Sequence, residues 1–375
     1  MTAAPRGYAV IGSGVVGAAL AGALAARGAP VTLLDRDRPG RATTRSSLAW
    51  CNANEKTPRA YYDRNLAGMR AWAALASTMD GENWFRPVGN LEWSADPGAL
   101  TERVRRLADW GYAARMIDPV TAAALEPGIT LPPGNPALAW FPEEAYLLTE
   151  PLVDRLVARA EGFGASVRTG DAGRVVDVTE GEVRTASGPA VTAGVVVCCA
   201  GRWTPELAGR FGPPVPLLRW DEPGSEAPCL IVRVGPVAEP VPRRLLHTPE
   251  VVLRPHPDGL LHLEAEDARV DLHTPERDLR GWAAELLDRA RRIVPGLAGA
   301  RVVEHRVCVR PIPVDWHPIV GPVGDRGYVV VTHSGVTLGA HLAELVATEL
   351  TEGRDVPELA PYRPTRFDST ASLGS

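Results

Sequence analysis

Lysine is almost absent from this sequence of 375 residues: Lys56 is the only one, and arginine carries the rest of the fixed positive charge. The formal net charge is −5, with acids and bases interspersed, so the sequence offers no basic face for nucleic acid phosphates. No apolar stretch approaches the roughly 20 residues needed to cross a bilayer. We therefore expect neither a nucleic acid nor a membrane as a partner.

Cysteine is also scarce, and the five residues present are not spaced like zinc ligands, so no metal site is predicted. Cys198 and Cys199 are adjacent within an apolar run, where we expect them to pack as small hydrophobic side chains. No Ser-His-Asp arrangement or paired-carboxylate signature stands out. Because no signal peptide precedes the first predicted strand and no disulfide framework is indicated, we expect a cytoplasmic location.

A strong signature is present at residues 8–35, which read YAVIGSGVVGAALAGALAARGAPVTLLD. A short apolar strand at 8–11 leads into the glycines of 12–17. An alanine-rich helix follows to about Arg27, and a second strand ends at Asp35. Strand, glycines, helix, strand and acid in this order are the βαβ fingerprint of a dinucleotide-binding fold. A glycine cluster that only packs a helix is the weaker interpretation.

Each glycine of the fingerprint has a predicted task. Gly12 makes the tight turn, Gly14 lets the backbone approach a pyrophosphate, and Gly17 lets the helix pack closely on the strand. The helix N-terminus presents free N–H groups to the diphosphate, and Asp35 is placed for ribose hydroxyls. The residues predicted to contact the cofactor here are Gly12, Ser13, Gly14, Val15, Val16, Gly17, Asp35 and Arg36.

The order of the later strands favours FAD over NAD. A nicotinamide enzyme usually continues at once into further strand–helix pairs, whereas residues 36–63 are a polar, turn-rich excursion. The next pieces of the same sheet are predicted at 165–188, 191–201 and 326–335. Two long insertions into one dinucleotide domain are typical of FAD proteins with a separate substrate domain.

Four segments together indicate a family. They are the fingerprint at 10–17, VVVCCAGRWTPELA at 195–208, VCVRPIPVDWHPIVGP at 307–322 and THSGVTLGAHLAELVATEL at 332–350. On these segments the chain resembles the D-amino-acid oxidase, glycine oxidase and sarcosine oxidase family of flavoproteins. The segments keep the family's order and spread over most of the chain, while the regions between them match only in general layout.

The resemblance implies an α/β (α+β mixed) fold, in which a Rossmann-like FAD-binding domain is interleaved with a substrate domain built on a large mixed β-sheet. The FAD-binding domain is expected from residues 1–82, 146–220 and 306–360, the substrate domain from 83–145 and 221–305, and a loose tail from 361–375. Helical spacing of apolar residues predicts helices at 99–110, 151–163 and 277–294.

The resemblance also implies further flavin contacts. A glycine-rich turn that leads into the last helix would hold the flavin's pyrimidine carbonyls with backbone N–H groups. The implied residues are Gly335, Val336, Thr337 and Leu338 of this turn, Ala200, Gly201 and Trp203 after a buried strand, and Val175 near the adenine. Ser46 and Ser47 follow the second strand, where they either reach the phosphates or are solvated loop residues.

Arg310 occupies the position at which this family binds the substrate carboxylate. A guanidinium is a planar fork of donors that matches a carboxylate and stays charged. The alternative is a structural salt bridge to an acid such as Asp315. Cys308 lies where sarcosine oxidases attach the flavin covalently, and its alternative role is inert packing.

Two more cations are candidates for promoting the reaction of reduced flavin with oxygen. His262 falls roughly where sarcosine oxidases carry a lysine on a substrate-domain strand, and a protonated histidine would stabilise developing superoxide charge. Lys56 lies in a loop that the family folds near the flavin ring. The plainer alternatives are a strand histidine and a solvated lysine. Trp316 and His317 replace a small turn of many relatives, so substrate identity does not carry over from them.

The function that the resemblance implies is an FAD-dependent amine or amino-acid oxidase. Its substrate would be a small amine that bears a carboxylate. Hydride transfer to flavin N5 would oxidise the C–N bond to an imine, and oxygen would reoxidise the flavin and form hydrogen peroxide. The alternatives are a dehydrogenase of the same fold that passes electrons to a quinone or carrier protein, and a flavin-binding subunit without catalytic activity.

Overall fold

The computed structural model describes residues 7–134, 136–179 and 181–368. Its strands, in chain order, are β1 (Tyr8–Ile11), β2 (Val31–Leu34), β3 (Trp50–Cys51), β4 (Phe85–Arg86), β5 (Asn90–Trp93), β6 (Arg115–Ile117), β7 (Leu138–Phe141), β8 (Ala145–Leu147), β9 (Ser166–Arg168), β10 (Val175–Thr179), β11 (Glu182–Thr185), β12 (Val191–Thr192), β13 (Val195–Cys198), β14 (Pro228–Gly235), β15 (Leu245–His247), β16 (Val252–Pro255), β17 (Leu261–Glu264), β18 (Arg301–Val309), β19 (Ile319–Val323) and β20 (Gly327–Val331). Its helices are α1 (Val15–Ala25), α2 (Thr43–Ser46), α3 (Arg59–Ala76), α4 (Pro97–Asp109), α5 (Pro119–Leu125), α6 (Thr149–Gly162), α7 (Thr204–Ala208), α8 (Glu276–Ile293) and α9 (Gly335–Glu352). Within the described residues, no helix is both long and apolar enough to cross a bilayer.

The first large sheet brings the glycine-rich turns to one edge. Its strand order is β19-β20-β13-β1-β2-β9, and all neighbours pair in parallel except β19 with β20. Parallel strands end at the same edge of a sheet, so the turns after β1, β13 and β20 come together. Helix α1 starts at this edge and packs against α6 and α9, which its small alanine and glycine side chains allow.

The second large sheet supplies the opposing wall. Its strand order is β18-β14-β17-β16-β15-β5-β7-β6, and it is antiparallel apart from the β15/β5 pair. Side chains alternate between its faces. In β17, Leu261 and Leu263 pack into a core with Leu286 of α8, which leaves His262 and Glu264 on the other face. That polar face looks toward the glycine-rich turns.

The predicted mixture of helices and sheets is observed, and the sheets draw on separated parts of the chain. The first sheet takes strands from 1–82, 146–220 and 306–360, and the second takes strands from 83–145 and 221–305, apart from the end of β18. Two small sheets, β3-β8-β4 and β10-β11-β12, complete the fold. The exact domain boundaries remain a prediction.

Helix α3 corrects the prediction of a polar excursion over 36–63. It begins at Arg59 and buries Tyr62, Leu66, Met69 and Trp72 at helical spacing. It crosses α9 so closely that a Cβ on residue 68, a glycine, would lie 2.3 Å from the carbonyl oxygen of residue 337. Helix α3 therefore packs directly against the start of α9.

The prediction of a loose tail at 361–375 is wrong for residues 361–368. Tyr362 is 3% exposed, and Arg363 donates to Glu349 of α9 at 2.8 Å. Burial alone would raise the pKa of Glu349, but hydrogen bonds from Arg363 and Tyr328 hold it below its usual value. The end of the chain is thus fastened to the last helix, while residues 369–375 lie outside the described part.

Candidate functional site

A cavity of about 1050 Å³ lies between the turn edge of the first sheet and the polar face of the second. Its volume is at the upper end for ligand pockets, enough for a large cofactor beside a small substrate. The predicted residues that line it are Gly12, Gly14, Val15, Val16, Asp35, Arg36, Ser47, Lys56, Val175, Ala200, Gly201, Trp203, Cys308, Arg310, Gly335, Val336 and Thr337. Ser13, Gly17, Ser46, His262 and Leu338 were predicted as well and do not line it.

The glycines of the fingerprint are required by close approaches. Gly12 has a φ of +102°, and a Cβ there would lie 2.5 Å from the carbonyl oxygen of Cys199. A Cβ on Gly17 would lie 1.9 Å from the carbonyl oxygen of Gly12. Gly17 therefore packs α1 onto the turn without facing the cavity, whereas Gly14 begins the helix in extended conformation and faces it.

Thr44 is a residue that the sequence analysis missed. Its hydroxyl accepts a hydrogen bond from the backbone N–H of Val15 at 3.2 Å, and its side chain lines the cavity at the start of α1. The first N–H groups of a helix lack partners within the helix. The Thr44 hydroxyl therefore contacts the group predicted to meet a pyrophosphate, and no spacing rule in the sequence pointed to it.

Asp35 is fixed in place at the same end of the cavity. Its Oδ2 accepts hydrogen bonds from both the backbone N–H and the hydroxyl of Ser13, each at 2.7 Å, and Oδ1 accepts from Asp37 N–H. Ser13 is 0% exposed, so its predicted direct contact with the cofactor is wrong. Its role is to orient the Asp35 carboxylate, which lines the cavity.

Two guanidinium groups lie over the ring of Trp203, which lines the cavity. The guanidinium of Arg36 lies 3.9 Å from its ring centroid and that of Arg202 lies 4.0 Å away. Guanidinium groups are attracted to the face of an indole. Burial and the nearby Arg36 charge lower the pKa of Arg202. The stack gives the cavity a rigid aromatic and cationic corner.

The turn that starts α9 is held by two side chains and one backbone N–H group from elsewhere in the chain. The Tyr61 hydroxyl hydrogen-bonds the Ser334 hydroxyl at 2.7 Å, and Trp72 Nε1 donates to the carbonyl oxygen of Val336 at 2.6 Å. The Thr337 hydroxyl accepts from the backbone N–H of Asn52 at 3.3 Å. The turn is therefore rigid, with the N-terminus of α9 open to the cavity.

Two predicted cofactor contacts, those of Ser46 and Leu338, need correction. Ser46 directs its hydroxyl to the carbonyl oxygens of Ala42 and Thr43 within α2, as short hydroxyl side chains in helices often do. Leu338 is fully buried in the core with Val15. Neither reaches the cavity, whereas the neighbouring Ser47 and Thr337 do.

These features fit the dinucleotide predicted from the sequence. Two helix N-termini, those of α1 and α9, open into one cavity, and both favour negative charge. The Asp35 carboxylate lines the cavity, where it can accept hydrogen bonds from ribose hydroxyls, and the glycines leave backbone N–H groups uncovered.

Arg310 lies on the opposite wall, in the loop after β18. Its Nε donates to the carbonyl oxygen of Ala227 at 3.2 Å and its Nη2 to that of Glu226 at 2.6 Å. Both partners are neutral backbone groups, and Arg310 has no carboxylate salt bridge among the described residues. The alternative of a bridge to Asp315 is wrong, because Arg366 holds that carboxylate at 2.8 and 3.0 Å.

Lys56 lines the cavity near His333. Burial lowers the pKa of Lys56, while Glu55 and Glu144 act to raise it. Lys56 makes no ion pair with any described residue. Burial, followed by repulsion from Lys56 and Arg310, lowers the pKa of His333 to about 3, so this imidazole is neutral at physiological pH.

The prediction of a protonated His262 at the flavin is wrong. Its Nδ1 lies 2.6 Å from Nη2 of Arg254, and its ring stacks on His256 with centroids 5.2 Å apart. Burial and then the Arg254 charge lower the pKa of His262 to about 2. The residue that reaches the cavity from β17 is Glu264, two positions further along the same face.

Glu264 and His247 are the other side chains that the sequence analysis missed. Burial raises the pKa of Glu264, and the Arg310 charge opposes that shift. Burial lowers the pKa of His247 to about 3, and its ring lies 3.8 Å from that of Trp50. Glu264 alternates with leucines on β17, which is the signal that could have identified it, whereas His247 follows two leucines at the end of β15 and carries no such signal.

Comparisons with known proteins agree with this geometry. The family model described as "FAD dependent oxidoreductase" matches residues 8–349. The chain is 26% identical to the uncharacterized oxidoreductase YurR of Bacillus subtilis (strain 168) over 96% of this chain and 98% of that protein. Its fold is similar to L-proline dehydrogenase from P. horikoshii, with a TM-score of 0.82, 18% identity and 98% of each chain covered. It is also similar to glycine oxidase from Geobacillus kaustophilus, with a TM-score of 0.78, 20% identity and coverage of 96% of this chain and 99% of that one.

Proposed function

This chain belongs to the FAD-dependent oxidoreductase family, and on that premise we propose that it oxidises the C–N bond of an amine that bears a carboxylate, giving an imine, with oxygen as the final electron acceptor. The observation that carries the proposal is Arg310, whose guanidinium faces the cavity without a carboxylate partner among the described residues. The predicted family, fold class and FAD cofactor are confirmed. The substrate class and the acceptor are the proposed part.

Arg310 suits a carboxylate because of how it is held. Two backbone carbonyls, those of Glu226 and Ala227, anchor one side of the guanidinium, and no carboxylate of the described residues forms a salt bridge with it. A substrate carboxylate supplies the missing charge through a bidentate pair of hydrogen bonds. Fixing the carboxylate on one wall orients the rest of the substrate toward the opposite wall, which reduces the entropy lost at the transition state.

The surrounding charges also favour the reactive form of the amine. An amine must lose its extra proton before its C–N bond is oxidised. Arg310 faces the cavity as a cation, and nearby positive charge disfavours an ammonium group. His333 is neutral and adds no charge of its own. Bound FAD supplies the two-electron acceptor.

The names of the similar structures support an amino acid as the substrate class. L-proline dehydrogenase and glycine oxidase are both named for amino acid substrates. At 18% and 20% identity they say nothing about which amino acid this chain takes. A carboxylate next to an amine is the chemistry that the two names share, and it is the chemistry that an arginine on the substrate wall recognises.

A dehydrogenase that passes electrons to a quinone or carrier protein is the second candidate. The observation that favours it is that little positive charge is placed to stabilise superoxide in the cavity. His262 is neutral and away from the cavity, and burial lowers the pKa of Lys56. A weaker cation near the flavin stabilises superoxide less. The acceptor therefore separates the two candidates.

The test is anaerobic reduction of the FAD-bound protein by a panel of amines with and without a carboxylate, followed by addition of oxygen or a quinone. We expect carboxylate-bearing amines to bleach the flavin and oxygen to restore its colour with release of peroxide. Arg310→Ala should weaken substrate binding by about 100-fold or more, the loss expected for a charge-assisted pair. Arg306→Ala is the matched control. Arg306 lies on β18, shortly before the loop that carries Arg310, and it pairs with Glu304 and does not line the cavity. Equal reduction of Arg310→Ala and the unaltered protein would contradict the proposal, and reoxidation by quinone alone would favour the dehydrogenase.

A further inference from the structure

Two of the five cysteines lie directly opposite each other on neighbouring strands. Cys229 of β14 pairs with Cys308 of β18 in antiparallel register. Directly opposite residues of such a pair have Cα atoms about 4.5–5.5 Å apart. That separation falls inside the range of about 4.4–6.8 Å that a disulfide spans. The backbone therefore already meets the first requirement for a bond between the two sulfurs.

The side chains of this pair also meet. Both line the cavity, so they project from the same face of the second sheet. Cys308 is 2% exposed and packs in a small apolar cluster with Leu48 and Ile231, against which Cys229 is packed. Its thiol also points to the carbonyl oxygen of Thr43 in α2, at 3.9 Å.

The other three cysteines have no such partner. Cys198 and Cys199 are neighbours in sequence, but Cys198 packs in the core behind β20 and Cys199 packs in the core around α1. Successive side chains of a strand project to opposite faces. Cys51 is buried in β3, on another sheet. The Cys229–Cys308 pair is therefore the site where two thiols are placed to react with each other.

The two thiols are also chemically unequal. The neighbouring Cys229 thiol lowers the pKa of Cys308, against the effect of burial. The same contact with Cys308, together with burial, raises the pKa of Cys229 well above its usual value. A pair in which one sulfur ionises more readily while its neighbour keeps its proton is suited to oxidation, because the thiolate is the nucleophile.

We propose that Cys229 and Cys308 form a redox-active dithiol on the cavity wall, which hydrogen peroxide closes to a disulfide. The Cys308 sulfur attacks one peroxide oxygen, the O–O bond breaks, and the departing hydroxide takes a proton to leave as water. The Cys229 sulfur then attacks the Cys308 sulfenic acid, the S–O bond breaks, and a second water leaves. Two thiols and one peroxide thus give one disulfide and two waters, with two electrons passing from sulfur to oxygen.

The proposal does not depend on the proposed function, because peroxide is added in the test. If the protein is an amine oxidase, its own product is the oxidant and forms in the cavity that the two sulfurs line. The fraction of protein with a closed disulfide would then rise with the amount of peroxide formed in the cavity. Closing it ties β14 to β18 beside the loop that carries Arg310.

The test uses FAD-bound protein, fully reduced and then exposed to hydrogen peroxide. We expect a mass loss of about 2 Da, the two hydrogens removed on disulfide formation, and loss of two of the five titratable thiols after denaturation. Peptide mapping should find a cross-link between residues 229 and 308, and dithiothreitol should reverse it. The variants Cys229→Ser and Cys308→Ser should each abolish the cross-link, while Cys198→Ala, which removes a cysteine packed elsewhere, should keep it.

Three results would overturn the proposal. The first is peroxide-treated protein that keeps all five thiols. The second is oxidation of Cys308 to sulfinic or sulfonic acid without a cross-link, which would mean that Cys229 does not reach it. The third is flavin that stays attached to Cys308 after acid precipitation, because that sulfur would not be free. If Cys308→Ser does not fold, Cys229→Ser and the mapped cross-link still decide the question.

Discussion

At the scale of single residues, the charge balance of the cavity governs its chemistry. Arg310, Lys56 and Glu264 all line the cavity, and the Arg310 charge acts on the Glu264 carboxyl. Burial pushes each of these side chains toward its neutral form, with the exception of Arg310, since a guanidinium keeps its charge. The charge of Lys56 is therefore the adjustable one, and it is set by pH.

Replacing Lys56 tests the role of that charge. We expect Lys56→Met to slow reoxidation of the reduced protein by oxygen about tenfold or more, because a positive charge stabilises developing superoxide. Stopped-flow absorbance of the flavin measures the rate. In the unaltered protein the rate should fall as pH rises through the Lys56 pKa, which burial lowers, because the charge is present only below that pKa. Lys56→Arg keeps the charge and should stay fast and independent of pH, and an unchanged rate in Lys56→Met would assign oxygen activation to another group.

The error at His262 shows what sequence resolves at this scale. A strand pattern fixes which residues share a face, and His262 and Glu264 do share one. The pattern does not fix which of them stands over the cavity, because that depends on how far β17 extends past its neighbours. Arg254 and His256 surround His262, while Glu264 continues to the open part of the face.

At the scale of elements, the contact between α1 and the first glycine turn is the tightest constraint on the site. The carbonyl oxygen of Gly12 sits where a side chain at position 17 would be. This close packing of α1 on the turn brings the N–H groups at the start of α1 to the cavity edge. The same helix contains Gly22. A Cβ built on Gly22 would have its nearest neighbouring atom at 3.8 Å, which is an ordinary van der Waals distance.

Two glycine substitutions in one helix separate packing from helix propensity. We expect Gly17→Ala to destabilise the protein by about 1–3 kcal/mol or more through overpacking and to release FAD. Gly22→Ala should instead be neutral or stabilising by about 0.5–1 kcal/mol, because alanine favours the helix and has room. Thermal unfolding and retained flavin absorbance measure both effects. FAD binding that survives Gly17→Ala unchanged would show that the turn can shift without losing the cofactor.

Helix α3 was missed although its sequence carries the signal. Tyr62, Leu66, Met69 and Trp72 recur at helical spacing, but the segment follows a long polar stretch that resembles a loop. The apolar strands of the first sheet at 8–11, 191–201 and 326–335 were predicted, because each must bury at least one face. What the pattern could not predict is that α3 would support the α9 turn through Trp72.

At the scale of the whole molecule, the end of the chain closes the fold around α9. Arg363 donates to Glu349, which also accepts from the Tyr328 hydroxyl at 2.6 Å and from the backbone N–H of Val356 at 3.0 Å. Three residues, one from β20 and two from the segment after α9, therefore donate to one buried carboxylate of α9. Removing it leaves several donors without an acceptor.

The variant Glu349→Gln tests this fastening. We expect it to lower the free energy of unfolding at pH 7 by about 2–3 kcal/mol, the value of hydrogen bonds to a buried charge. Because the folded pKa of Glu349 lies below the unfolded value of about 4.3, this stability is present above that pH and is lost as pH falls through the folded pKa. Urea unfolding across pH measures it. Glu352→Gln is the control, since Glu352 is exposed and pairs with the exposed Arg354, and equal effects of the two variants would refute a special role for Glu349.

The sequence by itself determined the βαβ fingerprint, the family, the fold class and FAD as the cofactor. The fingerprint depends on the local spacing of glycines and apolar residues, and the family and fold class follow from four segments that resemble known flavoproteins, so all of them can be read directly in the chain. Only the tertiary structure decided which further polar side chains reach the cavity, because Thr44, His247, Glu264 and Cys229 come from distant segments. Their meeting depends on sheet register and on the way two interleaved sheets face each other, and no local pattern encodes either.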